Sequence, residues 1–236
     1  YQSFSSFAGN PYFIDPDMLC GDGILPEKDL PRKLPEGKTI DYGALYASRR
    51  QMLQAAYEHS GKRLKSETDE FLASHPDIRD YALFMALKDK FGGRCWHDFP
   101  KCLVRSEKSA LEKYKKLLAD RTDYYVFEQY LFFSQWKSLR GYVNSLGIEI
   151  LGDMPIYVAP DSADVWANHR SFQLDGDRRP SFVAGVPPDY FSEDGQKWGN
   201  PLYDWKYMKN HGYEFFIRRA KAASELFDTV RLDHFI

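Results

Sequence analysis

Thr229-Val230-Arg231-Leu232-Asp233-His234-Phe235 is the stretch whose reading decides the fold of this chain. Val230 and Leu232 alternate with Arg231 and Asp233, the period-2 pattern of a β-strand with one apolar and one polar face. Residues 213–227 are helical in pattern and lead straight into it, which makes an α/β unit with a parallel strand. In such folds, polar residues at the carboxyl ends of strands line the active site. Two charges on the inward face of a strand are costly to bury unless they serve chemistry. Arg231 and Asp233 are therefore either a structural ion pair or part of a site, and the neighbouring sequence has to decide.

Working outward, residues 148–156 (IEILGDMPI) form a β-branched run that ends in an acid and a proline. That pattern predicts a buried parallel strand with Asp153 at its carboxyl end; equally, Asp153 could cap the following loop. Between the two strands lies a turn-rich excursion over 159–203, with Asp175-Gly176 marking a hairpin between Phe172 and Val183. A loop of this length between barrel-type elements is uncommon unless it is functional. Asp204 then caps the helical region that returns the chain to Arg231 and Asp233.

Upstream, residues 41–146 read as mainly helical. Asp41 caps a helix with Leu45, Met52 or Leu53, and Ala56 on its apolar face. Ser66 with Asp69 resembles a capping box. Ile78, Tyr81, Ala82, Met85 and Leu87 mark a helix stopped by Gly92-Gly93. Further helices are expected to begin at Ser106 and at Thr122, the second ending near Gly147. The segment from about 60 to 120 reads as a small helical insertion. Residues 1–40 are loop-like, rich in proline and glycine.

Composition narrows the function classes. Charged residues make up 28% and net charge is −2, so nothing argues for nucleic acid or a membrane surface. Cys20, Cys95 and Cys102 lack metal-ligand spacing and read as free thiols in a reducing compartment, the cytoplasm. Most of the 16 Tyr, 17 Phe and 5 Trp are expected in the core, and a surplus among polar loops also suits stacking on sugar rings. No phosphate-cradling glycine loop or nucleotide motif appears, so no cofactor is expected. The chain starts at Tyr1 without methionine and stops at Ile236, so it is expected to be an excerpt.

With these residues in view, the sequence closely resembles the amylomaltase family of 4-α-glucanotransferases, also called disproportionating enzymes. The resemblance rests on YQSFSSFAGNPY, DYALFMALK, GDMPIYVAPDSADVWAN, VAGVPPDYFSEDGQKWGNPLYDW and VRLDHF, in the family's order over nearly the whole chain. It implies part of a (β/α)8 TIM barrel with an inserted mainly helical subdomain and long active-site loops. Residues 1–40 would then be an active-site loop region of the barrel. Residues 41–146 would hold the insertion and the helix returning to the barrel, and 147–236 barrel strands and helices with the 159–203 excursion.

The resemblance also implies a function. Members cut an α-1,4-glucan and pass the released segment to the 4-hydroxyl of another, so glucans and maltooligosaccharides are the implied partners. Asp233 takes the family's nucleophile position and Arg231 the arginine before it. Asp153 and His234 would bind sugar hydroxyls, and Tyr1, Tyr46, Tyr190, Phe191 and Trp198 match aromatic positions at glucan-binding sites. The acid/base Glu and third catalytic Asp would lie beyond Ile236, leaving the excerpt inactive by itself. Retention of the α linkage requires two displacements through a covalent glycosyl-enzyme. Two other readings share some of these residues: an α-amylase-like hydrolase, and a non-catalytic glucan-binding fragment.

Overall fold

The computed structural model describes residues 3–31, 39–188, 190 and 192–234. The first region carries one short helix, α1 (Pro16–Gly21), whose opening N–H groups of Asp17 and Met18 are accepted by the Asp15 carboxylate. Helix α2 (Tyr42–Ser60) is capped by Asp41, which accepts from the Ala44 N–H at 3.0 Å. Met52, Leu53 and Ala56 are buried along it, as the spacing predicts.

Helix α3 (Lys65–Ser74) does not use the expected capping box. It begins at Lys65, so Ser66 already lies inside, and Asp69 instead accepts from Lys65 Nζ one turn back at 2.7 Å. Helix α4 (Asp77–Lys90) has acids in its first turn and lysines in its last, the arrangement the helix dipole favours. It ends at Gly92 and Gly93, both at positive φ, with the Gly93 N–H donating to the Lys88 carbonyl. After α5 (Lys101–Val104), helix α6 (Lys108–Leu117) starts later than expected, because Ser106 sits at φ 55°, outside the helical region. Helix α7 (Ala119–Ser145) runs nearly the expected length, and every residue from Tyr124 to Gln129 is buried. Its middle is enclosed on all sides, packed chiefly against α4.

Strand β1 (Leu151–Pro155) follows, then α8 (Ala163–Ala167), β2 (Val183–Val186), β3 (Gln196–Pro201), α9 (Trp205–Asn210), α10 (Glu214–Leu226) and β4 (Thr229–Asp233). β1 and β4 pair in parallel with Asp153 opposite Arg231 and Pro155 opposite Asp233. β1 is shorter than the expected 148–156 run, and only one of its faces is buried. Gly152 and Met154 turn toward the helices, while Ile148 and Leu151 are more than half exposed. The regular hairpin of the excursion is β2–β3, antiparallel with a bulge between Val183 and Gly185. The Asp175-Gly176 turn closes a short antiparallel pairing, with a bridge between Leu174 and Pro180 flanked by Asp175 N–H to the Arg179 carbonyl and Ser181 N–H to the Gln173 carbonyl. Cys20, Cys95 and Cys102 are free and partly buried, and no helix among the described residues is long and apolar enough to cross a membrane.

The strand pair is locked to α7 from below. Asp228 accepts from the Ile150 N–H, from Asn144 Nδ2 and from two nitrogens of Arg140, at 2.6–3.0 Å. These bonds, the Ile150 N–H first, hold its carboxyl at about 2. Above them Phe227 lies across Gly152 so closely that any Cβ there would enter the ring. Gly152→Ala is expected to destabilise the protein by about 1–3 kcal/mol through overpacking. Denaturant titration measures it, and an unchanged midpoint would mean the ring moves freely.

Candidate active site

The parallel register determines what the polar face of β4 can do. Because Arg231 sits directly across from Asp153, its guanidinium forms a two-bond fork with that carboxylate, Nε–Oδ1 at 2.9 Å and Nη2–Oδ2 at 2.8 Å. The same Nη2 is 3.2 Å from Asp233 Oδ1. His234 Nε2 approaches the other oxygen of Asp233 at 3.3 Å. Asp233 is thus gripped on both oxygens, and its side chain is 16% exposed against 60% for Arg231.

The expected pairing of Arg231 with Asp233 is present, and the structure adds Asp153 as a second partner. The register gives the two-bond fork to Asp153, and Nη2 is shared with Asp233. Asp153 is consequently a positioning partner for Arg231. The charges also do not face a dry interior, since their face of the sheet is the open one.

His234 closes the strand at φ 55°, a left-handed conformation that non-glycine residues adopt rarely. The turn brings its ring to 4.7 Å from the ring of Trp198 on β3. Trp198 is held by its Nε1, which donates to Gln196 Oε1, and β3 by Asn200, which donates to the Val158 carbonyl. The excursion therefore delivers Trp198 to the end of β4. Tyr190 is 98% exposed on the loop between β2 and β3. Tyr1 and Phe191 lie outside the described residues.

Tyr46 is elsewhere. Its hydroxyl accepts from Arg50 at 2.9 Å in a cleft of about 340 Å³ between α2, α7 and the first loop. Tyr12, Arg49, Arg121, Tyr125 and Glu128 line the same cleft, and none of Asp153, Trp198, Arg231, Asp233 or His234 does. Burial raises Glu128 to about 7, against hydrogen bonding by Tyr124 and the charge of Arg121, which pull it down. Next to it, Gln129 holds both the N–H and the carbonyl of Gly9, fixing the loop.

Two groups that hold the site were not singled out in the sequence. Arg219 on α10 is 1% exposed and donates to the carbonyls of Pro155 and Ile156, each from a different Nη, at 2.6 and 2.7 Å. Lys88 on α4 donates to Asp161 at 2.6 Å, tying the helical layer to the loop after β1. Arg219 had a legible signal: it occupies the apolar stripe of Phe215, Ala222 and Leu226 at helical spacing, where a charge needs a reason.

A sequence profile for 4-alpha-glucanotransferase matches residues 1–236. The chain belongs to the 4-alpha-glucanotransferase family. Among curated relatives, the 4-alpha-glucanotransferase of Thermus thermophilus is 47% identical over the whole chain and 47% of its own length. That of Clostridium butyricum is 42% identical, with 49% of its length covered. The chain spans about half the length of the curated relatives it matches. The amylomaltase of Streptococcus agalactiae, solved in complex with acarbose, superimposes with a TM-score of 0.93 at 39% identity, covering all of this chain and 48% of that one. The amylomaltase of Corynebacterium glutamicum shares the fold at a TM-score of 0.67 and 19% identity, covering 99% of this chain and 32% of that one.

The buried carboxyl of this family member gives a pH test. Glu128 binds its proton more tightly folded than unfolded, so stability falls as pH rises from about 4.5 to about 7 and the penalty is complete above that. Glu128→Gln is expected to stabilise the protein at pH 8 by roughly 2–3 kcal/mol, with the gain gone by about pH 4.5. Melting temperatures of both proteins across this range decide it; a pH-independent difference would contradict the burial argument.

Proposed function

We propose that the protein is a 4-α-glucanotransferase that moves segments of α-1,4-glucan between chains by a retaining double displacement, with Asp233 as nucleophile. The observation that carries this is Asp233 itself, at the carboxyl end of a parallel strand and oriented from both sides by Arg231 and His234. Family membership and the likeness to an amylomaltase solved with acarbose support a glucan ligand.

On this reading an oxygen of Asp233 attacks the anomeric carbon of the donor while an acid gives its proton to the departing glycosidic oxygen. The 4-hydroxyl of an acceptor glucan then attacks the same carbon, frees Asp233 and returns its proton to that group. Two inversions restore the α linkage. The acid/base carboxyl would stand about 5–5.5 Å from Asp233. On this reading it lies on a strand outside residues 1–236. Arg231, locked by Asp153, keeps Asp233 aimed; Asp153 and His234 face the bound sugar's hydroxyls. Trp198, with Tyr190, Phe191 and Tyr1, would cover the intermediate, and Tyr46 would contact glucan in its separate cleft. No cofactor enters these steps. The three free thiols favour a reducing compartment, the cytoplasm.

Asp233→Asn in the full-length protein is expected to cut transfer and hydrolysis together by about a thousandfold or more. Its melting temperature should hold, because Arg231 keeps its fork to Asp153. Product analysis on maltotriose checks both the residue and the reaction: transfer gives glucose and longer oligomers, whereas an α-amylase-like hydrolase gives only shorter ones. Near-normal turnover in a folded Asp233→Asn protein would refute the assignment.

Trp198→Ala should shift the balance from transfer toward hydrolysis, because water reaches the intermediate more readily once the ring is gone. The ratio of oligomer formation to reducing-end release measures this, and an unchanged ratio would make Trp198 a packing residue for His234.

A further inference from the structure

One cleft in the molecule is lined by several cations, three of which have no carboxylate partner among the described residues. It has a volume of about 440 Å³ and lies where the turn after α5, the end of α8 and the start of α10 converge. Arg105, Arg170, Arg178 and Arg218 line it, with His169 and His211 beside them. Arg218 is satisfied by Asp77 and Asn168. Among the described residues, no carboxylate lies within 4.0 Å of Arg105, Arg170 or Arg178. Glu214 is the acid on the cleft wall.

The cations act on one another. Burial, then the guanidiniums of Arg170 and Arg105, push Arg178 below its ordinary value. Burial, then Arg178, push His169 down as well. Like charges held this closely raise the energy of the empty site, and an anion placed among them would relieve it. The hydrogen-bond inventory is also left open here. Among the described residues, Ser106 Oγ and Arg218 Nε are buried polar atoms without a partner, and both belong to residues of this cleft. Buried polar groups are nearly always paired, so a cluster of exceptions marks a place arranged for something else.

We propose that this cleft binds a phosphate monoester or inorganic phosphate, gripped by Arg105, Arg170 and Arg178. Guanidinium groups present paired N–H donors that match the oxygens of a phosphate, and three converging on one anion suit a doubly charged oxyanion better than a carboxylate. The concave shape favours a small ligand over a polyanion lying on a surface, as does a net charge of −2 for the whole chain. The volume leaves room for a sugar-sized group attached to the phosphate.

The test is calorimetric titration of the full-length protein at low ionic strength with inorganic phosphate and, separately, with glucose 6-phosphate, using chloride at matched ionic strength as the control. Submillimolar binding of either supports the site, and the tighter of the two names the source of the anion. Arg105→Gln with Arg170→Gln should weaken that binding by about tenfold or more, since each change removes a charge-assisted contact. Both side chains are exposed and make no ion pair among the described residues, so folding and glucan transfer should be unchanged. Absence of binding by both anions overturns the proposal, as it would if acidic residues elsewhere in the polypeptide already fill the cleft. Equal affinity in the double variant overturns it too.

Discussion

A single buried guanidinium organises the connection between helix and sheet. Arg219 donates to the carbonyls of Pro155 and Ile156, to the Tyr203 hydroxyl and to Ser6 Oγ, all at 2.6–3.1 Å. Those carbonyls belong to the carboxyl end of β1, where the ladder runs out and backbone groups need other partners. The tyrosine hydroxyl itself donates to the Ile156 carbonyl. Four segments distant in sequence therefore meet on one side chain: the first loop, the end of β1, the end of the excursion and α10. A charge so deeply buried needs an opposite charge nearby. Asp164 supplies it through Ser6 and is itself bound by Ser5 Oγ and the Ser6 N–H at 2.8 Å.

The consequence reaches the polar face of the sheet. With the end of β1 pinned, Asp153 stands at a fixed height, and the β1–β4 register places Arg231 directly opposite. Asp228 sets that register from the other end, joining Ile150 to α7 and leading directly into β4. A slip of one residue would send Arg231 and Asp233 into the helices and Val230 and Leu232 to the open face. The geometry at Asp233 is thus an outcome of anchors at both ends of the strand pair. Such support holds the Asp233 carboxylate in one orientation.

Neighbouring positions on α10 serve opposite ends. Arg219 is consumed internally, whereas Arg218, a third of a turn away, reaches Asp77 and Asn168 at the edge of the cationic cleft. The same short helix therefore connects the clamp beneath β1 with a region of unrelieved positive charge. Lys88 plays a comparable part from the helical layer. It is buried between the Arg94 carbonyl, Asp161 and the Phe4 ring, so the loop after β1 is held from two directions.

The amino-acid sequence by itself determined the local pieces. Alternation at 229–233, the apolar spacing of α2 and α4, the caps at Asp41 and Asp204 and the glycine stop at Gly92-Gly93 follow from short-range rules, and they stand as read. The motif Val230-Arg231-Leu232-Asp233 likewise put both charges on one face before any partner was known. The tertiary structure alone decided who pairs with whom. Ser66 lost its capping role because the helix began at Lys65, and Arg231 turned to Asp153 because the strands are parallel in that register. Tyr46 parted from the Asp233 group because α2 lines a different cleft. Arg219 became a hub only once four remote segments converged on it. Local propensity acts over one or two turns of chain, whereas these pairings span up to 213 residues of separation, and only the folded packing brings such groups within hydrogen-bond reach.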